Sequence, residues 1–332
     1  MDFNSSGNVL KFCLLALILL SSLPTASASI GDRSVYYNRC KHNCSLDNCT
    51  NGSLDNFNSR QPLYMKLMGW DCPEECSYGC MWATVELFSN RNVRVPQFHG
   101  KWPFIRILGV QEPASVLFSF LNGLMHIIGI IEYRRRLPSD APMYWIWHAF
   151  AAVGVNTWFW STVFHSRDVL LTERMDYFCA ASLLLMNIFT LAVRSIGYHQ
   201  GKCRRDICLV FAAVLLSLFV CHVSYLTFYK FDYGYNMAAS VLAGAVNSVW
   251  MLIWSVKNWD IHGGIKKALV ITVSVNFLIS LELLDFSPIF WMFDAHSLWH
   301  ASTILPTLWW YSYIIEDSMY LYKVKERYFK IE

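Results

Sequence analysis

The chain has 332 residues, of which 55% are hydrophobic and only 15% are charged, and its formal net charge is +3 at pH 7. Soluble globular proteins carry roughly 25% charged residues, so this apolar excess is too large for one soluble core. The composition excludes a disordered chain, gives no basis for nucleic-acid binding and predicts a membrane protein whose apolar side chains face lipid.

The N-terminal segment has the pattern of a secretory signal peptide. An apolar run over residues 12–23 follows Lys11 and precedes a small-residue stretch in which Ala26 and Ala28 have A-x-A spacing. Because the run is short for a spanning helix, we predict a signal peptide over residues 1–28 that is cleaved near Ala28. An uncleaved membrane anchor is the alternative interpretation.

A cluster of cysteines follows the predicted signal peptide. Six of the eleven cysteines lie between residues 40 and 80: Cys40, Cys44, Cys49, Cys72, Cys76 and Cys80. Their spacings differ from the C-x₂-C pairs of most structural zinc sites, so we expect three disulfides in an oxidising lumen. Six cysteines allow fifteen pairings, and the sequence does not select among them. Sequons at Asn43, Asn48 and Asn51 predict glycosylation of the same segment.

The remainder of the chain alternates apolar segments of spanning length with short polar connections. Seven helices are predicted, at about residues 113–133, 143–165, 173–195, 207–229, 236–256, 267–286 and 296–316. The predicted fold is an all-α membrane protein. It consists of a seven-transmembrane-helix bundle over residues 113–316, preceded by a small disulfide-rich lumenal domain over residues 29–112. Residues 317–332 are expected to form a cytosolic tail.

Basic residues in the predicted loops and tail indicate the orientation of the bundle. One side carries fourteen of them: Arg134, Arg135, Arg136, Arg194, Lys202, Arg204, Arg205, Lys257, Lys266, Lys267, Lys323, Lys325, Arg327 and Lys330. The opposite loops carry only Arg167, Arg174 and Lys230. Because basic loops favour the cytosolic side of a membrane, the C-terminus is predicted in the cytosol and the cysteine-rich segment in the lumen.

Five polar residues within or beside the predicted spans are candidates for a functional site: Ser161, His165, Asp176, His296 and His300. An ionisable side chain in a membrane costs a few kcal/mol, so such residues usually serve a function. Ser161 with His165, and His296 with His300, are separated by four residues and therefore share a helix face. The second helix ends, and the third and seventh begin, on one side of the membrane, so all five residues are predicted at the lumenal rim.

These residues have the chemistry of a catalytic zinc centre. His165, His296 and His300 would fill three positions of a tetrahedral Zn²⁺ site and leave the fourth for a water molecule, whose pKa falls to about 7. Asp176 would be the general base or would orient that water, and Ser161 would donate to the oxyanion of a tetrahedral intermediate. The alternative from spacing alone is that buried histidines bond neighbouring carbonyl groups. Three acidic residues near the same rim are either partners of the ligands or exposed loop residues: Glu282, Asp285 and Asp294.

Several stretches around these residues match the pattern of a known family. They cover residues 98–104, 111–115, 160–168, 173–177 and 294–300, together with the cysteine-rich segment. They resemble the post-GPI-attachment-to-proteins factor 3 family, which belongs with alkaline ceramidases and progestin/adiponectin receptors to a superfamily of seven-helix metal-dependent hydrolases. The superfamily pattern is Ser-x₃-His in the second helix, Asp at the start of the third and H-x₃-H in the seventh. This chain matches it at Ser161, His165, Asp176, His296 and His300.

The resemblance implies an enzyme that removes the sn-2 fatty acid from the phosphatidylinositol of a GPI anchor after transfer of the anchor to protein. Its partners would be GPI-anchored proteins and their lipid, and its cofactor would be Zn²⁺. The tail has no dilysine signal at the required positions, which favours the Golgi membrane over the endoplasmic reticulum membrane. A receptor-like or scaffold membrane protein with a structural metal is the competing hypothesis, because some members of the superfamily signal.

Overall fold

The computed structural model describes residues 29–199, 202–282 and 284–329. The predicted signal peptide over residues 1–28 lies outside the described residues. Four short helices come first and form the cysteine-rich region: α1 Val35–Asn48, α2 Asn51–Arg60, α3 Leu63–Leu67 and α4 Cys72–Asn90. The fourth begins at a capping box, in which the side chains of Asp71 and Glu74 each accept from the other residue's backbone N–H.

Three disulfides join α1, or the residue that follows it, to α4. The pairs are Cys40–Cys80, Cys44–Cys76 and Cys49–Cys72. The pairing is nested, with the first cysteine bound to the last. Such a ladder forms when two antiparallel segments each carry cysteines about one helical turn apart, here four and five residues apart in the first segment and four apart in α4. The predicted three disulfides are therefore confirmed, and the fold selects one pairing of the fifteen that the sequence allowed.

The cysteine-rich region has a small apolar core, which includes Tyr37, Val85 and Phe98. Disulfides suit such a region because they restrict the unfolded chain where little apolar surface is buried. Asn43 and Asn48 are exposed on α1, where a glycan would meet no obstruction from the core. Their glycosylation stays a prediction.

Seven longer helices follow: α5 Pro113–Arg136, α6 Tyr144–Ser166, α7 Leu170–Ala192, α8 Arg205–Ser224, α9 Tyr233–Lys257, α10 Gly263–Leu278 and α11 Ala295–Phe329. Turns of π-helix extend α7 to Gly197 and α8 to Tyr229, and a 3₁₀ turn extends α10 to Leu281. Two short strands, β1 Tyr198–His199 and β2 Lys202–Cys203, pair antiparallel between α7 and α8. A helix lies at each of the seven predicted positions, but the sixth ends at Leu281 instead of near residue 286, and α11 runs well beyond its predicted end.

Five of the longer helices are long and apolar enough to cross a membrane: α5, α7, α8, α9 and α10. The other two, α6 and α11, have 23 and 35 residues but are richer in Trp, Tyr and polar side chains. Those polar side chains include the candidate residues Ser161, His165, His296 and His300. The chain is a predominantly helical, multi-pass membrane protein with five candidate spans in its described part, where the sequence pattern predicts seven.

The helices that carry the candidate residues are held together through α5 and α6. α5 has extensive contacts with α6 and α11, α6 packs on α7, and α10 covers α11. Two glycines permit close approach: a Cβ atom on Gly129 would lie 2.2 Å from the ring of Tyr311, and one on Gly154 would lie 2.4 Å from the ring of His126. Small residues commonly bring membrane helices together in this way. As a result, the end of α6 and the beginnings of α7 and α11 meet at one end of the bundle.

Candidate metal centre

Three histidine rings converge where α6 ends and α11 begins. His165 lies in the last turn of α6, and His296 and His300 lie one turn apart at the start of α11. Nε2 of His296 is 3.3 Å from Nε2 of His165 and 2.9 Å from Nε2 of His300. The candidate ligand nitrogens all lie within 4.8 Å of one another. His165 and His300 are buried and His296 is half-buried, so the centre is reached from the side of His296.

Hydrogen bonds to carboxylates fix the tautomers of two rings. Nδ1 of His165 lies 2.8 Å from Oε2 of Glu112, and Nδ1 of His296 lies 2.8 Å from Oε2 of Glu282. An ionised carboxylate only accepts, so each Nδ1 carries a proton, and a neutral ring held in this way presents the lone pair of its Nε2. Carboxylate–histidine pairs of this kind orient imidazoles that bind metals.

The three Nε2 atoms fit a metal ion better than a network of protons. The lone pairs of His165 and His296 face each other at 3.3 Å and cannot bond without an added cation. One proton bridges only two of the three nitrogens, whereas a metal ion bonds all of them. Tetrahedral zinc, with Zn–N bonds of about 2.0–2.1 Å, separates its nitrogen ligands by about 3.3 Å. Among the described residues the donor set therefore fits zinc and fills three of its four positions.

Glu112 lies in one of the stretches that match the family pattern, residues 111–115, but the sequence predicts no role for it in this centre. It is buried just before α5, and its backbone N–H donates to the carbonyl oxygen of His165 at 3.0 Å. Its Oε1 accepts a 2.6 Å hydrogen bond from Lys101. Burial raises the pKa of the Glu112 carboxyl, but the ion pairs with Lys101 and His165 outweigh burial and hold the pKa below its usual range. Its position before Pro113 marks the start of a helix and gives no sign of the contact with His165.

Ser161 and Asp176 border the three rings. Ser161 is buried one turn before His165, and its hydroxyl oxygen is 3.0 Å from that of Ser119 on α5. Asp176, half-buried in the second turn of α7, lies beside the Ser161 hydroxyl and within electrostatic range of His165 and His296. The structure thus brings all five candidate residues to one place and adds the Ser119 hydroxyl beside them.

The three acidic residues near this end of the bundle have different contacts. Glu282 bonds to the His296 ring, in agreement with the interpretation that it is a hydrogen-bond partner of a metal ligand. Asp285 instead accepts from the indole N–H of Trp102 at 2.8 Å. Asp294 accepts from a backbone N–H in the first turn of α11 at 2.9 Å and so caps that helix. Of the three, only Glu282 contacts a candidate ligand.

Asn122 holds the start of α11 against α5. Its buried amide donates to the carbonyl oxygen of His300 at 2.8 Å and accepts from the Thr303 hydroxyl at 3.1 Å. The ring of Trp158 on α6 meets the His300 ring edge-on, with 5.3 Å between centroids. The turn of α11 that carries two candidate ligands is therefore fixed to both α5 and α6.

A second group of potential ligands lies in the cysteine-rich region, where the sulfur atoms of Cys49, Cys72 and Cys76 are close together. Each of these sulfurs belongs to a disulfide. A disulfide sulfur offers no thiolate, so this group does not form a metal site in the oxidised protein.

Comparison with known sequences establishes the family of the chain. The family model described as the Per1-like family matches residues 62–318. The chain belongs to the Per1-like family. This confirms the resemblance inferred from the motifs, and the matched range contains Glu112 and all five candidate residues.

Named relatives cover nearly the whole chain. A Homo sapiens protein called GPI-specific phospholipase A2-like PGAP3 is 46% identical over 316 residues, which cover 95% of this chain and 98% of the relative. The Xenopus laevis protein of the same name is 48% identical over 298 residues, covering 90% and 93%. A Drosophila melanogaster protein called post-GPI attachment to proteins factor 3 is 38% identical over 294 residues, covering 87% and 89%. No solved structure is significantly similar to this Per1-like chain.

Proposed function

We propose that the protein removes the sn-2 acyl chain from the phosphatidylinositol of GPI-anchored proteins by zinc-dependent ester hydrolysis. The observation that carries the proposal is the convergence of three imidazole nitrogens within 4.8 Å of one another. The names of the relatives supply the substrate, because the human and Xenopus proteins are called GPI-specific phospholipase A2-like. A phospholipase of the A2 type cleaves the sn-2 ester, and a bundle with several apolar helices suits a lipid substrate.

The three histidines would hold the metal through Nε2, while Glu112 and Glu282 orient two of the rings through Nδ1. Bound zinc would polarise the ester carbonyl and lower the pKa of a water molecule at the remaining position. Structural zinc sites are closed by four protein ligands, whereas catalytic sites keep one position open. Three imidazoles therefore favour a hydrolase over a scaffold with a structural metal.

Asp176 and Ser161 would carry out the remaining chemistry. Asp176, which lies within electrostatic range of two of the imidazoles, would accept the proton of the attacking water. The Ser161 hydroxyl, positioned by Ser119, would donate to the oxyanion that develops on the ester carbonyl. Asp176 would then pass its proton to the sn-2 oxygen of the departing lysolipid. The products are a fatty acid and a lyso form of the anchor.

The proposal includes a topology in which all seven helices α5 to α11 cross the membrane. At about 1.5 Å per residue, α6 and α11 are long enough to do so. The excess of fourteen basic residues against three supports a cytosolic C-terminus, including the tail residues 317–332. The disulfides suit a lumenal location for residues 29–112.

In this orientation the metal centre faces the lumenal leaflet, where the acyl esters of GPI anchors lie. Cleavage of a signal peptide near Ala28 and glycosylation at the three sequons belong to the same proposal. So does residence in the Golgi membrane, with the endoplasmic reticulum membrane as the alternative.

Mass spectrometry of GPI lipids tests the proposed activity in cells. Cells that lack the protein should keep unsaturated sn-2 chains on their anchors, and wild-type protein should remove them. Asp176→Asn should leave zinc binding intact and lower turnover by about 10²- to 10⁴-fold, because the base is lost. Asp206→Asn changes an exposed carboxylate in the first turn of α8 and serves as the matched control, with full remodelling expected.

Different outcomes separate the hypotheses. An unchanged lipid profile in deficient cells would reject the deacylase. Full remodelling by the Asp176→Asn protein would reject Asp176 as the base and leave the rest of the proposal standing. Zinc binding by a protein whose loss alters no lipid would favour the receptor-like or scaffold hypothesis.

A further inference from the structure

Lys101 occupies a charged position behind the metal centre that the proposed hydrolysis does not use. Its ammonium nitrogen lies 2.6 Å from Oε1 of Glu112 and 2.8 Å from Oδ2 of Asp168. The same nitrogen stands 4.3 Å from the ring centroid of Phe164. One cation therefore joins a carboxylate that precedes α5 to a carboxylate that follows α6.

The two oxygens of Glu112 are divided between Lys101 and a candidate ligand. Oε2 accepts from Nδ1 of His165 at 2.8 Å, while Oε1 accepts from the Lys101 ammonium. A carboxylate held at both oxygens cannot rotate away from the imidazole. Because the bond at Nδ1 decides which ring nitrogen carries the proton, this arrangement keeps the Nε2 lone pair of His165 directed at the other two rings.

Removal of the Lys101 charge would leave two carboxylates facing each other. Glu112 and Asp168 bind the same ammonium, so their oxygens are no more than two hydrogen-bond lengths apart. Like charges at such a separation repel strongly where water is partly excluded, and Glu112 is buried. We expect Glu112 to move away from Asp168 and to lose its bond to His165.

The segment that carries Asp168 is anchored to the cysteine-rich region. Arg167 donates to the carbonyl oxygens of Met68 and Gly69 at 3.1 and 3.3 Å. Its guanidinium also lies 3.7 Å from the ring centroid of Trp70. The backbone at Asp168 is therefore held in place. Because the Lys101 ammonium bonds to both carboxylates, it fixes the position of Glu112 relative to Asp168.

We propose that Lys101 is a positioning residue of the metal centre. Its ammonium holds Glu112 against His165 and thereby sets the affinity for the metal, without touching the metal or the substrate. The inference rests on the proposed zinc function and extends it to the residues behind one ligand. Removal of a residue that supports a metal ligand without binding the metal typically lowers metal affinity 10- to 100-fold.

Zinc affinity of the purified full-length protein in detergent, measured by competition with a chromogenic chelator, tests the proposal. Lys101→Met removes the charge and should weaken zinc binding by about 10- to 100-fold. Lys101→Arg keeps a cation and should retain most of the affinity. Lys325→Met is the matched control, because Lys325 pairs with Asp140 at 2.7 Å and lies on the far part of α11. This control should bind zinc like the wild type.

A double variant separates positioning from a general loss of structure. If Lys101 acts through Glu112, adding Lys101→Met to Glu112→Gln should cause little further loss of zinc affinity. Independent losses that add in free energy would overturn the proposal. Lys101→Gln, which keeps a hydrogen-bond donor but no charge, replaces the methionine variant if that protein does not fold.

Two results distinguish this inference from the proposed function. Wild-type zinc affinity in either uncharged Lys101 variant would overturn the positioning role alone. A wild-type protein that binds no zinc would overturn both this role and the zinc-dependent hydrolysis.

Discussion

The two ends of the helix bundle both place a histidine against a buried carboxylate, and they differ in the source of the balancing positive charge. At the end opposite the metal centre, Arg194 donates to both oxygens of Asp317 at 2.5 and 2.7 Å. Nε2 of His262 lies 2.8 Å from one of these oxygens, and its Nδ1 accepts from the backbone N–H of Gly264. Arg194, Asp317 and His262 therefore form a cluster in which each group has a hydrogen-bond partner, and the guanidinium of Arg194 supplies the positive charge.

At the metal-centre end, the protein supplies carboxylates but no cation between the rings. Nε2 of His165 and Nε2 of His296 face each other at 3.3 Å, while the Nδ1 atoms of the same rings are already bonded to carboxylates. Unsatisfied buried polar groups cost stability, so they persist mainly where a bound group completes them. At the Asp317 end the protein balances its own charges, whereas the unpaired arrangement at the His296 end supports the proposal that a metal ion binds there.

The largest expected effect comes from removing one ring of the three-histidine metal centre. His296→Ala should abolish tight zinc binding and lower deacylation by more than about a thousandfold, because two imidazoles hold an ion far less well than three. His262→Ala removes a ring that bonds to Asp317 at the other end of the bundle. It is the matched control, and this variant should bind zinc like the wild type. Elemental analysis of the purified variants measures the metal. Equal zinc in His296→Ala and wild type would remove His296 from the ligand set.

Breaking the cluster of Arg194, Asp317 and His262 should lower the stability of the fold without changing zinc binding. Asp317→Asn leaves Arg194 buried without its counter-ion and should lower the free energy of unfolding by about 3–5 kcal/mol. Thermal unfolding in detergent and zinc titration of the same sample measure the two quantities. Wild-type stability would show that this pair does not hold α7 to α11, and a loss of zinc affinity would show that the two ends are coupled.

Opening one disulfide should weaken the metal-centre end selectively. Cys44→Ser with Cys76→Ser removes a bridge between residues 32 positions apart, which should destabilise the cysteine-rich region by about 3–4 kcal/mol. Because Arg167 bonds this region to the segment after α6, hydrogen exchange should rise around His165 and remain unchanged around Asp317. Unchanged exchange around His165 would contradict this coupling.

The smallest expected effect concerns the support of α11. Asn122→Ala removes the bond to the His300 carbonyl, which is worth about 1 kcal/mol, and should weaken zinc binding by about fivefold. Asn187→Ala is the control, because the Asn187 amide donates to Leu183 within its own helix. Calorimetric titration with zinc resolves the difference. Equal affinities of the two variants would show that the bond does not support the ligands.

The candidate ligands could be predicted from the sequence because their arrangement follows from the spacing of residues on a helix and from the number of spans between them. Helical spacing pairs His296 with His300, and the alternation of spans brings His165 and Asp176 to the same end. Glu112 could not be predicted, because its contact with His165 joins residues 53 positions apart through irregular backbone. No periodicity encodes such a contact.

The charges at the other end show the same limit. Arg194 and Asp317 both have the sequence pattern of exposed residues at the ends of spans, the first in a basic loop and the second in a tail. Both are buried in the structure, where they pair with each other across 123 positions of sequence. Whether residues 317–332 form a cytosolic tail stays a prediction. Helix positions were thus predictable from composition, whereas the polar clusters between helices depend on packing that the sequence pattern does not specify.

Zinc content and sn-2 deacylation, measured on one purified preparation of the full-length protein, test the metal centre most directly. We expect about one zinc per chain, loss of both zinc and activity on treatment with a strong chelator, and recovery of both when zinc is restored. Full deacylation by protein that contains no metal would contradict the proposed centre.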